Sequence, residues 1–194
     1  MTRKLKHLLR EINDCRLCED HLPLGPKPVL QANSQAKILI AGQAPGRKVH
    51  ETGIPFNDAS GDRLRDWMGI DKSIFYDGSK IALVPMGFCY PGTGKSGDLP
   101  PRPECAEAWR EKLLSNLPKI ELTLLVGQYG QKYHLGTLRK KNLTETVKSW
   151  KEYWEKGLLP LPHSSPRNNI WLKKNAWFEK DILPTLKSRV QKLI

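Results

Sequence analysis

The chain has 194 residues, of which 39% are hydrophobic, and this size suits one folded domain spanning residues 1–194. Its 32 Lys and Arg residues outnumber its 20 Asp and Glu residues, which gives a net charge of +12. Such a charge favours a polyanionic partner, although a solvated basic surface also explains it. No apolar run approaches the roughly 20 residues of a membrane helix, and the basic start lacks the features of a secretory signal. These properties argue against a membrane-spanning or secreted protein, and we expect a monomer in the cytoplasm.

Helical and strand patterns alternate along the chain. In order, the sequence predicts a helix at 1–12, a strand at 37–41, a helix at 60–69, a strand at 80–86, a helix at 103–117, a strand at 121–126, a helix at 142–156, a strand at 157–161 and a helix at 176–193. Ser60 is placed to cap the second helix, and Pro85 to end the second strand. Pro184 is expected to kink the last helix, because proline has no backbone N–H to donate.

This alternation predicts an α/β fold, a three-layer α/β/α sandwich around a central, mainly parallel four-stranded sheet. Ligands of such sheets bind outside the carboxyl ends of the strands. The unusual local sequences follow the predicted strands, at residues 42–46, 87–97, 127–130 and 163–169. Because the first and last strands can be neighbours in a doubly wound sheet, we expect the first and last of these loops to share one crevice.

The first of these loops has the sequence GQAPG, and TGIPFND follows it at 52–58. Gly42 and Gly46 allow the backbone to approach a ligand closely, and Gln43 can offer its amide groups to carbonyl oxygens. Phe56 lies in a loop where its ring can stack on a planar base. The alternative is structural, with Phe56 in the core and residues 57–58 capping the next helix.

The last loop has the sequence HSSPRNN, which suits a segment that grips a nucleic-acid backbone. Ser164, Ser165 and the neighbouring backbone N–H groups can hold phosphates, and Arg167 can enter a groove. His163 opens the loop, after the last strand. A single histidine is more often structural than functional, but its neighbours here favour a functional role.

The chain contains four cysteines, and without a secretion signal a disulfide is a poor explanation for them. Cys15 and Cys18 can chelate one metal from a single turn, and thiolates suit an iron–sulfur cluster or zinc. Cys89 and Cys105 flank a stretch rich in glycine and proline that has no core of its own. A shared metal site would tie that stretch to the amino-terminal segment, and four buried thiols are the alternative.

Together the two loops resemble the paired motifs of the uracil-DNA glycosylase superfamily, in which one motif follows the first strand and a histidine motif follows the last. The similarity is greatest to the iron–sulfur group, families 4 and 5, whose first motif is G-E-A-P-G and continues to T-G-x-P-F. Here residues 42–46 are GQAPG and residues 52–56 are TGIPF. The resemblance covers about residues 10–185. It implies the same fold, removal of a damaged base from DNA, and a [4Fe–4S] cluster held by the four cysteines.

The resemblance also implies how the base is bound. The enzyme would flip the damaged base out of the DNA, and the base would stack on Phe56. Gln43 and the Ala44 backbone would bond its carbonyl groups, with Asn57 beside them. His163 would donate to the base as negative charge develops on it, and a neutral imidazole is sufficient for this.

An acid should position water or stabilise the sugar cation, and the candidates in order of preference are Asp58, Glu51 and His50. The residues implied to contact DNA are Ser164, Ser165 and Arg167. The partner is then single- or double-stranded DNA with a deaminated or mismatched base, in the bacterial nucleoid or an equivalent compartment.

Several positions depart from the family pattern. Ala44 stands where family 1 has an aspartate that helps to position water, and Ser164 stands where proline is usual. Residues 47–51 are RKVHE where family 4 has acidic residues, and residues 85–88 lack the asparagine that contacts the uracil edge. Uracil is therefore the default lesion, with hypoxanthine, xanthine or another deaminated base open. The alternative is a catalytically weak or inactive member that binds DNA and senses damage.

Overall fold

The structure of the protein, a computed structural model, describes residues 1–95 and 97–194. Its α-helices are α1 Arg3–Asn13, α2 Arg47–Thr52, α3 Ala59–Met68, α4 Lys72–Phe75, α5 Pro103–Leu114, α6 Gln128–Leu135, α7 Leu143–Lys148, α8 Lys151–Trp154, α9 Asn169–Lys174 and α10 Leu183–Leu193. Its strands are β1 Ile38–Ala41, β2 Ile81–Leu83, β3 Thr93–Gly94, β4 Gly97–Asp98, β5 Leu122–Val126 and β6 Leu158–Leu161. No helix in the described ranges is long and apolar enough to cross a membrane.

Four short apolar strands form one parallel sheet in the order β2-β1-β5-β6. Ile38 of β1 pairs with Ile81 on one side and with Leu122 on the other, and Val126 of β5 pairs with Leu161 of β6. The predicted strands and their parallel arrangement are confirmed. The expectation that the first and last strands are neighbours is wrong, because β5 pairs with both β1 and β6 and therefore separates them.

Helices cover both faces of the sheet, as the apolar strands require. Alternate strand residues point to opposite faces. One face packs under α3, α7 and α10, and its buried residues include Ile38, Ile40, Leu64, Trp67, Val147 and Leu186. The other face packs under α1 and α5, with Leu5, Leu8, Leu39, Val84 and Leu113. A smaller cluster continues under α6 and α8, with Ala41, Leu125, Leu135 and Tyr153. The predicted three-layer sandwich is confirmed.

The start of α3 differs from the prediction. This helix begins at Ala59 rather than Ser60, because the Asp58 carboxylate caps it. Asp58 Oδ1 accepts a hydrogen bond from the Gly61 N–H at 2.9 Å, which satisfies one of the free donors of the first turn. Asp58 therefore has the helix-capping role that the sequence offered as an alternative to a catalytic one.

The helix expected at 142–156 divides into α7 and α8. Val147, Trp150 and Tyr153 are buried around the break, at a spacing of three residues. The N–H of Trp150 donates to the Val147 carbonyl, and that of Tyr153 to the Trp150 carbonyl, both at 3.1 Å. These bonds tighten the chain locally, so that side chains three residues apart face the same side.

Some elements near the site edge had no predicted counterpart. They are α2 directly after the GQAPG loop, α6 after β5, and the antiparallel hairpin of β3 and β4, which pairs Thr93 with Asp98. The last predicted helix is interrupted by a π-helical turn at Phe178–Ile182, just ahead of Pro184. The missing N–H of proline gives a local reason for the irregular turn there.

A charged side chain is buried below the end of β2. Arg110 of α5 donates from Nη1 to the carbonyls of Val84 and Pro85, at 3.2 and 3.0 Å. Its Nη2 lies 2.7 Å from Nε2 of His134 on α6. Burial and the nearby guanidinium lower the pKa of His134 to about 3, and burial lowers the pKa of Arg110 to about 10. At neutral pH a neutral imidazole therefore accepts from a cationic Arg110, and together they fix the backbone after β2.

We predict that His134→Gln makes stability less dependent on pH between about 6.5 and 3. In the unfolded chain His134 gains a proton near its ordinary pKa of 6.5, whereas the folded residue stays neutral until about 3. The stability linked to this residue is thus present above pH 6.5 and is lost as the pH falls through this window. Removing the titrating group should lower the slope by up to about 1.4 kcal/mol per pH unit, measured by urea unfolding.

The matched control for this prediction is His7→Gln, on the exposed side of α1. It removes one histidine without changing the buried pair of Arg110 and His134. The free energy of unfolding of this variant should therefore depend on pH as steeply as that of the wild type. Glutamine at position 134 retains an oxygen that can accept from Arg110. Equal slopes for the wild type and His134→Gln would contradict a neutral, buried His134.

Candidate active site

A pocket of about 560 Å³ opens at the carboxyl ends of the parallel strands. Its walls come from the segments that follow all four strands of this sheet, together with the segment before α3 and the β3–β4 hairpin. Of the residues predicted for the site, the structure brings together Gln43, Ala44, Phe56, Asp58, His163, Ser165 and Arg167. The volume lies within the usual range of ligand pockets in proteins.

Phe56 has a left-handed backbone conformation, with φ of 54°, which is rare for a bulky residue. Its ring lies against the backbone of Gly42, where a Cβ atom would come within 3.1 Å of Phe56 Cζ. The ring also meets that of Phe75 edge to face, with centroids 6.0 Å apart. Phe56 therefore packs on the core and also lines the pocket. The sequence offered a core role and a pocket role as alternatives, and in the structure the residue has both positions.

Contacts to the Phe56 carbonyl hold this strained conformation in place. A Cβ atom on Gly61 would lie 1.8 Å from the Phe56 oxygen, so only glycine fits at this point of α3. The buried Arg65 places Nη1 3.5 Å from the same oxygen and donates from Nη2 to Asp62 at 2.6 Å. Its guanidinium also lies over the Phe75 ring, 5.0 Å from the centroid. The first turn of α3 thus fixes the aromatic wall of the pocket.

The imidazole of His163 is oriented by the loop that follows it. Its Nδ1 accepts from the backbone N–H of Ser165 at 3.1 Å, and Asn168 Nδ2 donates to its carbonyl at 2.7 Å. Because Nδ1 accepts, the proton of the neutral ring sits on Nε2. Burial lowers the pKa of His163, and the opposing effects of the Asp58 and Asp98 carboxylates are smaller. At neutral pH His163 is therefore a neutral hydrogen-bond donor at Nε2.

The GQAPG loop is braced by the chain that follows β2. Gln43 donates from Nε2 to the Leu99 carbonyl at 3.0 Å, so one of its amide protons is used within the protein. The backbone N–H of Gly87 donates to the Gln43 carbonyl at 3.0 Å. Ala44 is half-buried in the pocket wall. The loop therefore presents mostly backbone groups and a small side chain to a ligand.

The other two acid candidates lie elsewhere. Glu51 is exposed on α2 and pairs with Arg47 at 3.0 Å. His50 is buried with its ring 6.0 Å from that of Tyr90, and burial, reinforced by Lys27, lowers its pKa. Neither contributes to the pocket walls formed by the described residues, whereas Asp58 does.

Asn57 and Ser164 also lie outside those walls. Asn57 is half-buried, and its backbone N–H donates to the Ile54 carbonyl at 3.3 Å. Ser164 is fully buried, and its hydroxyl has no hydrogen-bond partner within residues 1–95 and 97–194. In this conformation the Ser164 side chain does not reach the protein surface.

The pocket also contains residues that sequence reasoning did not select, namely Pro85, Asp98, Gln128 and Asn168. Pro85 and Gln128 follow β2 and β5, so the rule that sites form at strand ends could have found them. Asn168 belongs to the HSSPRNN loop already identified. Asp98 gave no local signal, because its position depends on how the β3–β4 hairpin packs against distant loops.

A smaller cavity lies between the amino-terminal segment and α5. Its walls include all four cysteines, Cys15, Cys18, Cys89 and Cys105, together with the apolar side chains of Ile12, Phe88 and Trp109. Each cysteine is a half-buried free thiol. The two cysteine-bearing segments that the sequence predicts to meet therefore do meet at this cavity.

The thiols around this cavity have the chemistry of metal ligands. Burial raises the pKa of Cys89 to about 11 and that of Cys105 to about 12. Cys105 Sγ accepts from the Phe88 N–H, and Cys15 Sγ from Trp109 Nε1, both at 3.3 Å. Four thiols, with N–H donors to the sulfurs of Cys15 and Cys105, fit an iron–sulfur cluster or zinc, which would displace the thiol protons. Within the described ranges, however, no three His, Cys, Asp or Glu side chains are already arranged to hold a metal ion.

The family to which the chain belongs follows from a comparison with known families. Residues 30–187 match the uracil DNA glycosylase superfamily. The chain belongs to this superfamily. The match contains all four parallel strands and both pocket loops, so the resemblance that GQAPG, TGIPF and HSSPRNN suggested is confirmed.

A type-4 uracil-DNA glycosylase from Archaeoglobus fulgidus is 28% identical to this chain over 122 residues. The aligned region covers 63% of the chain and 58% of the relative, so the chain spans somewhat more than half of the length of this relative. Its name agrees with the subgroup that the loop sequences indicate.

Two residues of the pocket wall differ from side chains found in other parts of the superfamily, although Ala44 agrees with the G-E-A-P-G motif of families 4 and 5. Pro85 lines the pocket in the segment where an asparagine is expected to contact the base. Ala44 lines it where family 1 has an aspartate that helps to position water. Neither Pro85 nor Ala44 offers a polar side chain to this wall of the pocket.

We predict that Gly61→Ala lowers the free energy of unfolding by about 1–3 kcal/mol, the usual cost of overpacking. The added methyl group would overlap the Phe56 carbonyl and force the aromatic wall to move. The matched control is Gly78→Ala, where the nearest atom to an added Cβ would be 3.6 Å away. Urea unfolding of both variants checks this, and equal stabilities would contradict the close contact at Gly61.

Proposed function

We propose that this protein is a DNA N-glycosylase, which hydrolyses the N-glycosidic bond of uracil or another deaminated base after flipping that base into the pocket. The observation that carries the proposal is that Phe56, His163 and the GQAPG loop line one pocket, although they come from distant parts of the chain. Superfamily membership and the similarity to a type-4 uracil-DNA glycosylase support the same class of enzyme. Flipping costs a few kcal/mol and costs least for weakly paired lesions, which favours damaged bases.

In this proposal the flipped base lies between the Phe56 ring and the GQAPG loop. Stacking on an aromatic side chain contributes about 1–3 kcal/mol per base. The backbone around Ala44 and the free oxygen of the Gln43 amide remain to bond the polar edge of the base. Because Pro85 offers no side-chain hydrogen bond, we expect backbone groups to determine most of the base preference. Uracil remains the default lesion.

His163 assists departure of the base. As the C1′–N bond breaks, its electron pair moves onto the base, and a donor to the base carbonyl stabilises the developing anion. The neutral ring donates from Nε2 without first losing or gaining a proton. The oxygen of a water molecule then bonds to C1′, and one proton of that water goes to the base anion.

Asp58 is our proposed water-positioning group. Its Oδ1 is held by the Gly61 N–H at 2.9 Å, which leaves Oδ2 to accept from a water molecule in the pocket. The same carboxylate can therefore cap α3 and orient water. Glu51, paired on the surface, and His50, buried beside Tyr90, are less well placed for this role.

We propose that DNA contacts the face around the HSSPRNN loop. Arg167 is exposed at the pocket rim, and Ser165 lines the pocket beside it. Arg63 supports this loop by donating to the Ser165 carbonyl at 2.9 Å and to Asn169 Oδ1 at 2.7 Å. A DNA contact from Ser164 would have to come from its backbone, since its side chain is buried. The net charge of +12 supports such a polyanionic partner.

We also propose that the four cysteines hold a [4Fe–4S] cluster, with zinc as the alternative. The shared cavity and the N–H donors at Cys15 and Cys105 support this assignment. Such a group would cross-link the amino-terminal segment to the loop that precedes α5. That loop continues into the β3–β4 hairpin at the pocket, so the group would also stabilise one pocket wall.

The second candidate function is a catalytically weak or inactive member that binds DNA and senses damage. Two observations favour it: residues 85–88, of which Pro85 lines the pocket, lack the asparagine expected to contact the base, and an amide proton of Gln43 is used by Leu99. An inactive member would bind a lesion in the same pocket without releasing the base.

We predict that the protein releases uracil from a single-stranded oligonucleotide, and that His163→Ala slows single-turnover release by about a hundredfold or more. The expected loss reflects the missing donor to the leaving base. The matched control is His7→Ala on the exposed side of α1, which should retain the wild-type rate. The same assay with hypoxanthine and xanthine defines the lesion.

Two outcomes would contradict this assignment in different ways. Wild-type rates in a folded His163→Ala variant would place the chemistry in another part of the molecule. Tight binding of lesion-containing DNA with no release of any base from the panel would favour the damage-sensing candidate instead.

For the cysteines, we predict about four iron and four sulfide per chain and a brown protein, as a cubane cluster requires. Cys105→Ser, which replaces one thiolate ligand by a weaker one, should reduce the iron content and the visible absorbance. Stoichiometric zinc in a colourless protein would support the alternative metal. Freshly purified protein with neither metal would contradict a metal site.

A further inference from the structure

The β3–β4 hairpin bridges the two loops that form the pocket. On one side, Gln43 of the GQAPG loop donates to the Leu99 carbonyl directly after β4. On the other side, the guanidinium of Arg167 packs on Gly97, where a Cβ atom would lie only 1.8 Å from Nη1. The hairpin is therefore held by both motif loops, and its short strands form part of the pocket wall.

This arrangement places the Asp98 carboxylate inside the pocket wall. Its Oδ2 faces Gly46, where a Cβ atom would come within 3.2 Å of it, so glycine makes room for the carboxylate. Its Oδ1 accepts a long hydrogen bond from Thr93 Oγ1 at 3.4 Å, and the Thr93 oxygen lies 2.5 Å from the Tyr90 hydroxyl. Tyr90 is itself buried. The exposed Asp98 is thus linked through a long hydrogen bond to the Thr93 hydroxyl, which in turn contacts the buried Tyr90.

The charge of Asp98 acts on the site. It and Asp58 are the two carboxylates that raise the pKa of His163 against the effect of burial. Both therefore lie close to the residue proposed to assist departure of the base. Asp58 already has one oxygen fixed by the Gly61 N–H at the start of α3. Asp98 belongs to a hairpin rather than a helix terminus, and its hydrogen bond to Thr93 is long, so more of its charge is available to a ligand.

Base release develops positive charge on the sugar, which a nearby negative charge stabilises. When the C1′–N bond breaks, its electron pair leaves with the base and the sugar carries the positive charge of an oxocarbenium ion. A carboxylate beside the ring oxygen or C1′ stabilises this cation by direct electrostatics. Asp98 is exposed in the unliganded pocket, so the bound nucleotide would have to exclude the water around it. The facing GQAPG loop contains no acidic residue, since Ala44 stands at the position of the family 1 aspartate. That loop therefore supplies no carboxylate to the pocket.

We propose that Asp98 is a catalytic residue whose carboxylate lies against the sugar of the flipped nucleotide and stabilises its cation. This inference rests on the proposed glycosylase function. In it, water bonds to C1′ and passes a proton to the base anion, and Asp98 takes no part in this proton transfer. Asp58 orients the water, and Asp98 stabilises the sugar, so the two carboxylates have different roles.

The test uses two oligonucleotides that differ at a single abasic position. One carries a neutral tetrahydrofuran residue, and the other carries a pyrrolidine residue whose ring nitrogen is cationic and mimics the sugar cation. The wild type should bind the cationic oligonucleotide more tightly. Asp98→Asn, which keeps the shape of the side chain and its contact with Thr93, should lose about tenfold or more of that preference.

The matched control is Asp66→Asn, which removes one negative charge from the exposed side of α3, away from the pocket. It should keep the wild-type preference, which separates a local contact from a change in net charge. Thr93→Val keeps the carboxylate but removes its hydroxyl partner, and it should retain most of the preference. In the excision assay, Asp98→Asn should slow single-turnover release by about a hundredfold.

The outcomes separate this inference from the proposed function. Loss of the cationic preference in Asp98→Asn alone supports the inference, whether or not the wild type releases any base of the panel. An unchanged preference in Asp98→Asn, an equal loss of affinity for both oligonucleotides, or a wild type without preference overturns it. If the wild type releases uracil but shows no cationic preference, the glycosylase function stands and the role of Asp98 is wrong.

Discussion

Parallel pairing of β5 with both β1 and β6 is the constraint on which the pocket depends. The registers Ala41 with Leu125 and Val126 with Leu161 end three strands at one edge of the sheet. The loops after β1 and β6 consequently open on the same side, although a strand lies between them. Backbone hydrogen bonds set this geometry, because a parallel ladder fixes where each strand ends. The side chains of the site can then come from distant parts of the chain and still meet.

Buried polar contacts fix the loops that follow the strands in defined positions relative to the sheet. Arg110 binds the carbonyls of Val84 and Pro85, where the backbone has left the ladder and would otherwise lack partners. A buried cation is costly unless it is well bonded, and the same contacts that fix the loop supply partners to Nη1 of Arg110, whereas its Nε has none among the described residues. The strained Phe56 is held in a comparable way by the first turn of α3. At both places the helix layer, rather than the loop itself, determines the shape of the pocket.

The sequence was sufficient for features that depend on local patterns. Apolar runs located the four parallel strands, and the motifs after β1 and β6 located the pocket loops. It was not sufficient where tertiary packing decides. The division between α7 and α8 follows from the burial of Trp150 and Tyr153. The sequence left open whether Asp58 or Ser60 caps α3, because the choice depends on where the helix meets Phe56. The β3–β4 hairpin is positioned by contacts to loops far away in sequence, so no local pattern indicated that Asp98 lies in the pocket.

The electrostatics of the molecule act at two scales with opposite signs. The chain as a whole carries +12, which attracts a polyanion at distances up to about a Debye length of 10 Å. The pocket, by contrast, contains two carboxylates beside a histidine whose pKa is lowered, mainly by burial. In the proposed complex the phosphates lie outside the pocket, where salt and water screen them from these carboxylates, and the flipped nucleoside lies inside it. In the proposed complex the overall positive charge would attract the DNA backbone, while the pocket carboxylates act on the sugar, the water and His163, so the two requirements do not conflict.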